Sequence, residues 1–130
     1  MEHKSKVTIE LTGAPLLARP SEERAMLNVM LGMVAGHFIA DYVFQTDAIA
    51  TGKNRHLDPA KFGVNWWYWM TAHSITHGLA VYFVTGSVGF GLAETVAHWF
   101  IDFGKCEKRY GLHVDQGLHI LCKVMWAISA

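Results

Sequence analysis

Residues 73–102 read HSITHGLAVYFVTGSVGFGLAETVAHWFID, from His73 to Asp102. Apolar residues fill both halves, and the uncharged link Thr85-Gly86-Ser87 divides them. A link this short between two helical stretches makes them antiparallel neighbours. Each half carries a polar pair one helical turn apart, His73/His77 before the link and His98/Asp102 after it. Residues i and i+4 of an α-helix share a face, so each pair points one way. Outward from this stretch the spacing recurs, upstream at His37/Asp41 and downstream at Asp115/His119. Four helices presenting one such face each would gather five imidazoles and three carboxylates, the raw material of a metal site. These groups are costly to bury, so their recurrence in apolar sequence is informative.

The 130 residues make one domain, with no room for a second core. Hydrophobic residues reach 52% and charged residues only 17%, below the roughly 25% of ordinary soluble domains. The distribution matters more. Between Ala25 and Gly52 the only formal charges are Asp41 and Asp47, and between Phe62 and Gly104 they are Glu94 and Asp102. A soluble amphipathic helix needs a charged wet face, which these segments lack. They read as membrane helices whose few polar residues face inward. The formal net charge of zero provides no basic footprint for nucleic acid. Cys106 and Cys122 form no CxxC motif, so reduced thiols are expected. Met1 to Arg19 carries Lys4 and Lys6 but no long apolar core, which speaks against a signal peptide. Residues 1–20 are expected to be a polar leader, with one short strand at Lys6–Leu11.

Residues 21–130 are expected to fold as an all-α, four-helix antiparallel membrane bundle. Ser21 is a natural N-cap, followed by Glu22 and Glu23 at the positive helix end. The first helix should run from Glu22 to Ala50 and stop near Thr51-Gly52. A polar loop, Lys53 to Lys61, contains Pro59. The second helix should cover Val64 to Thr85, the third Val88 to Phe103 with Gly104 as its stop, and the fourth Leu112 to Ile128. The last two, at about 16 and 17 residues, are short against the 20 or so needed to span a bilayer, so tilt or local thinning is expected. Asn65-Trp66-Trp67-Tyr68-Trp69 is an aromatic cluster of the membrane–water interface type. Lys53, Arg55, Lys61, Lys105, Lys108 and Arg109 in the two connecting loops favour a cytoplasmic position for both loops.

Depth ties the four pairs together. His37/Asp41 and His98/Asp102 approach the ends of their helices, whereas His73/His77 and Asp115/His119 follow the starts of theirs. An up-down-up-down bundle therefore places all four in the half nearest the basic loops. Gln45 extends the first stripe by a turn as an orienting partner for the ligands, and Glu94 extends the third as a proton carrier. Gln116 is expected to point elsewhere, and His56 and His113 to be solvated. His3 is set aside.

The run Gly36-His37-Phe-Ile-Ala-Asp41-Tyr-Val-Phe-Gln45-Thr-Asp47 resembles the opening motif of a family of small bacterial and phage membrane proteins, the domain of unknown function 3307. The similarity continues through His73-Ser-Ile-Thr-His77-Gly78, His98-Trp-Phe-Ile-Asp102 and Asp115-Gln116-Gly-Leu-His119, from about Asn28 to the C-terminus. The resemblance implies an integral membrane helical protein of the bacterial inner membrane, with no settled activity. Met1 to Arg19 is longer than the family's usual start. The His-x-x-x-Asp pairs are also similar, more loosely, to those of zinc-dependent phospholipases C and membrane-bound metal-dependent hydrolases.

Imidazole and carboxylate donors without thiolates suit a divalent metal, Zn²⁺ first and Mn²⁺ or Fe²⁺ next. Eight ligands exceed the needs of one tetrahedral ion, so two metals can be held. The expected function is a membrane metalloprotein, a hydrolase acting on a phosphate or acyl ester near the bilayer interface. The rival readings are a b-type haem protein and a non-enzymatic role, as a proton or ion conduit or as an accessory subunit with a membrane protein partner.

Overall fold

The computed structural model describes residues 21–57 and 63–130. The leader, its expected strand, and Pro59 and Lys61 of the first loop lie outside the described residues. Helix α1 spans Glu22–Ile39, α2 Asp47–Gly52, α3 Trp66–Thr85, α4 Val88–Cys106 and α5 Leu112–Ser129. No strand occurs among the described residues. The long helices pack α1 on α3, α3 on α4, α4 on α5 and α5 on α1, which closes a four-membered ring. Short α2 rests on α3 at one end of it.

Local chemistry sets the boundaries. The Ser21 side chain accepts from the Arg24 N–H at 3.4 Å, capping α1 as its sequence anticipates. The expected first helix, Glu22 to Ala50, is however not continuous. Beyond Ile39 the chain widens into a π-helical turn, Ala40–Phe44, and Gln45 is extended with ψ 98°. Thr46 then caps a new helix, its hydroxyl accepting from the Ile49 N–H at 3.4 Å. The Thr46-Asp47 pair is itself a helix start signal, and it overrides the apolar continuity that argued for one helix.

Gly86 closes α3 in the left-handed conformation, φ 69°, and its N–H donates to the Tyr82 carbonyl at 2.7 Å. The Ser87 hydroxyl accepts from the Phe90 N–H to start α4. The two helices then pack backbone to backbone, because a Cβ on Gly78 would collide with the Thr95 hydroxyl and the Gly91 carbonyl. Gly104 does not stop α4, which continues to Cys106. Its lack of a side chain serves a close approach instead, since the Tyr110 ring lies where a Cβ would stand. The Tyr110 hydroxyl donates to the Ile101 carbonyl, folding the α4–α5 loop back on the helix.

The interior is polar and the exterior apolar. Among the described residues, the buried side chains include only five hydrophobic ones, Met33, Ala40, Met70, Val81 and Ala127, against eleven polar or charged ones. Large apolar side chains such as Phe83, Val43 and Ile128 are exposed on every long helix. This inverts the usual arrangement of a protein in water. The helix through Glu22–Phe44, 23 residues, is long and apolar enough to cross a membrane. Among the described residues it is the one helix with both properties, out of four expected spans. Helix α3 has 20 residues and no formal charge, but tryptophan, tyrosine and histidine lower its hydropathy. Trp66 packs its ring 6.0 Å from Trp99 and 5.8 Å from Phe103, while Trp67 and Tyr68 face outward.

Candidate metal centre

All eight expected ligands meet in one cluster at the end of the ring nearest the two loops. Helix α1 delivers His37, and the π-turn that follows sets Asp41 with Oδ2 3.6 Å from His37 Nε2. A π-turn adds a residue to the helical turn and is frequent at functional sites. Asp41 Oδ1 accepts from His77 Nε2 at 3.1 Å and lies 3.3 Å from His73 Nε2, both on α3. From α4, Asp102 stands 3.4 Å from His73 and 3.7 Å from His98, its own i−4 neighbour. From α5, His119 approaches Asp102 to 3.4 Å and Asp115 to 3.6 Å.

The imidazoles crowd one another. Ring centroids of His77 and His98 are 3.6 Å apart, those of His98 and His119 4.0 Å, and those of His73 and His77 4.7 Å. All five rings are buried. Several of their nitrogens have no hydrogen-bond partner among the described residues: both of His98, both of His119, Nδ1 of His37 and His77, and Nε2 of His73. A buried polar atom left unpaired costs about 1–3 kcal/mol, and a structure that gathers several in one place needs a reason. Ligation supplies one. The groups that can hold an ion are Asp41 with His73, His77 and His98; Glu94 with His98 and His119; and Asp102 with Asp115 and His119.

Residues outside the expected set complete the centre. Gln116 does not point elsewhere: its side-chain oxygen accepts from His37 Nε2 at 3.1 Å. Its amide donates to Asp41 at 3.0 Å and to Asp115 at 3.3 Å. The cause is crowding at the α1–α5 contact, where a residue one position from the ligand stripe still reaches the cluster. Lys53 lies in the first loop by sequence, yet it is buried. Its ammonium donates to Asp102 and, at 2.7 Å, to Gln45. Gly52 makes this possible, because the Trp69 ring occupies the place of its absent Cβ and seats α2 on α3. Lys105 reaches Asp115 at 2.9 Å. Lys123, wholly buried on α5, donates to Glu94, which also accepts from the Trp126 indole at 2.8 Å. Lys123 stands one turn beyond His119, so the stripe Asp115-His119-Lys123 was visible in the spacing. No sequence signal singled out Lys53.

Glu94 therefore sits one layer deeper than the eight ligands, its Oε1 3.4 Å from His98 Nδ1. Gln45 orients no ligand directly; it accepts from Lys53 and its amide lies 3.5 Å from the Asp41 carbonyl. His56 and His113 lie exposed, outside the cluster, and His56 pairs with Glu107 at 2.9 Å. Four carboxylates (Asp41, Glu94, Asp102, Asp115) thus meet three ammonium groups (Lys53, Lys105, Lys123). With neutral imidazoles one negative charge is left over in a buried site, which favours a cation.

Fold and cluster together define an all-helical protein organised round a polar His/Asp core. The chain belongs to the protein family of unknown function DUF3307, whose profile matches residues 29–130. No curated protein and no solved structure matches it.

Proposed function

We propose that this is an integral membrane metalloprotein of the bacterial inner membrane, a metal-dependent hydrolase of phosphate or acyl esters near the bilayer interface. The observation that carries the reading is the set of buried, unpartnered imidazole nitrogens beside carboxylates that outnumber the ammonium groups. Asp41, His73, His77 and His98 are the residues that would hold the ion, a three-imidazole, one-carboxylate set that suits Zn²⁺. When bound there, a divalent cation supplies Lewis-acid charge and brings the pKa of water to about 7. The chain's own groups do the rest. Asp41 fixes the tautomer of His77, and Gln116 holds His37 and Asp41 in register. Glu94 is placed to exchange a proton with His98 Nδ1, 3.4 Å away, and Lys123 and Trp126 hold that carboxylate in position. The apolar exterior supports a bilayer as surroundings, and the two basic loops support a cytoplasmic site.

The rival readings have less behind them. A haem needs a slot between facing imidazoles, and these rings stack at 3.6 and 4.0 Å. A conduit needs polar groups through the full thickness, but Met33, Val81 and Ala127 close the far half as an apolar plug.

The test is metal content by mass spectrometry of protein purified in detergent, without added metal or chelator. About one or two Zn, Mn or Fe per chain are expected from this supply of ligands. Loss of metal in His98→Ala and His73→Ala, with His113→Ala unchanged, supports the site. A folded, metal-free wild type overturns it. Metal-loaded protein is then screened for release of phosphate or fatty acid from mixed lipid vesicles.

A further inference from the structure

Lys53 follows α2 and Lys105 lies in the last turn of α4, yet both are spent on the same small group. Lys53 binds Asp102 and Lys105 binds Asp115, and these two carboxylates with His119 lie mutually within 4.8 Å. This trio shares no residue with the Asp41, His73, His77 and His98 set. Its donors also differ in kind, two carboxylates to one imidazole instead of the reverse preference. Oxygen-rich sets suit Mn²⁺ or Mg²⁺ better than Zn²⁺. The trio is more than an acidic cluster, because Asp115 Oδ1 and both His119 nitrogens are buried without a partner.

We propose that Asp102, Asp115 and His119 form a second cation site, which Lys53 and Lys105 occupy as placeholder charges until an oxygen-preferring divalent ion displaces them. The inference rests on the metal reading above and extends it. Lys105 is one-third exposed and can swing into solvent at little cost. Lys53 is buried and has a second acceptor in Gln45, which keeps its ammonium bonded after Asp102 lets go. The first site faces less competition, since among the described residues the lysine salt bridges fall on Asp102, Asp115 and Glu94 and none on Asp41. The two sites should therefore fill in order, the imidazole-rich one first and the carboxylate-rich one at higher free metal.

The full chain in detergent, loaded with one equivalent of Zn²⁺, is titrated with Mn²⁺ while electron paramagnetic resonance follows the free aqueous ion. About one Mn²⁺ should bind per chain without displacing Zn²⁺. Lys105→Met, which removes a competitor at a partly exposed position, should tighten Mn²⁺ on the order of tenfold. Asp115→Asn should abolish Mn²⁺ binding and leave Zn²⁺ at its wild-type level. Bound Zn²⁺ with no uptake of Mn²⁺ in either wild type or Lys105→Met overturns the second site and spares the first. Equal Mn²⁺ affinity in wild type and Asp115→Asn overturns the ligand assignment. Failure to bind any Zn²⁺ is a different result and removes the metal reading itself.

Discussion

His77 on α3 and His98 on α4 stack face to face, with planes inclined by only 22°. Neither nitrogen of His98 has a hydrogen-bond partner, nor does Nδ1 of His77. Two helices have thus been brought together through rings whose polar edges are unsatisfied. Such a contact holds only if something else repays the desolvation of those edges.

Metal should therefore be part of the stability of the fold. Chelation followed by dialysis is expected to lower the thermal midpoint, and stoichiometric Zn²⁺ to restore it. An ion present at a hundred times its dissociation constant contributes about 2.7 kcal/mol, or roughly 10 °C for a chain of this size. Differential scanning calorimetry in detergent measures it. Identical midpoints with and without chelator would show that the imidazoles do not depend on an ion.

The Glu94–Lys123 pair makes a separate prediction. Both side chains are buried, and Trp126 supplies the one other polar contact to Glu94 besides His98. Lys123→Met leaves a buried carboxylate uncompensated and should cost about 3–5 kcal/mol. Glu94→Gln with Lys123→Met should recover most of that loss, because two neutral groups replace two charges. Unfolding of the single and double variants closes the cycle. Additive losses would mean that the two charges do not compensate each other.

Outside the helices, Glu107 is gripped by Arg55 through two hydrogen bonds of 2.7 Å and by His56 at 2.9 Å. The hydrogen bonds from Arg55 hold its carboxyl below the usual glutamate range. A depressed carboxylate stabilises the fold above its unfolded pKa, and the contribution disappears as pH falls through the folded value. The effect should be constant from neutral pH down to about 4.3 and fade below it. Arg55→Met should move the Glu107 titration upward, as read from its carboxyl carbon by NMR. An unmoved titration would show that Arg55 does not hold the carboxylate.

The π-turn can be tested by removing the residue it adds. Val43 is exposed within it, and its deletion should restore ordinary α-helical register. The chain is then one residue shorter before the extended Gln45 and loses the path that carries Lys53 to Asp102. Lys53 should come off Asp102 and become open to acetylation, while Lys123 stays protected. Mass spectrometry of the labelled peptides distinguishes the two. Continued protection of Lys53 would mean that the turn does not set its position.

Periodicity and depth made the clustering of the eight His and Asp residues legible, because an i,i+4 pair needs no tertiary knowledge to define a face. The helix ends at Gly86 and Ser87 were legible for the same local reason. The break at Gln45 was not, since Thr46-Asp47 competes there with an unbroken apolar run. Lys53 and Gln116 were illegible for a different cause. Lys53 depends on Gly52 meeting Trp69, a contact between residues far apart in sequence. Gln116 lies off the stripe and reaches the cluster through the tightness of the α1–α5 contact.

The ionic interior also reverses which positions can vary. In a water-soluble bundle, surface sites accept almost any residue and the core accepts only apolar ones. In the bilayer proposed above, Phe83, Val43 and Ile128 should exchange freely with other apolar residues and tolerate no charge. Glu94 and Lys123, deep inside, can change only as a pair. A saturation library selected for folded protein would therefore record its strictest chemical demands as charge bookkeeping at the centre and greasiness at the rim.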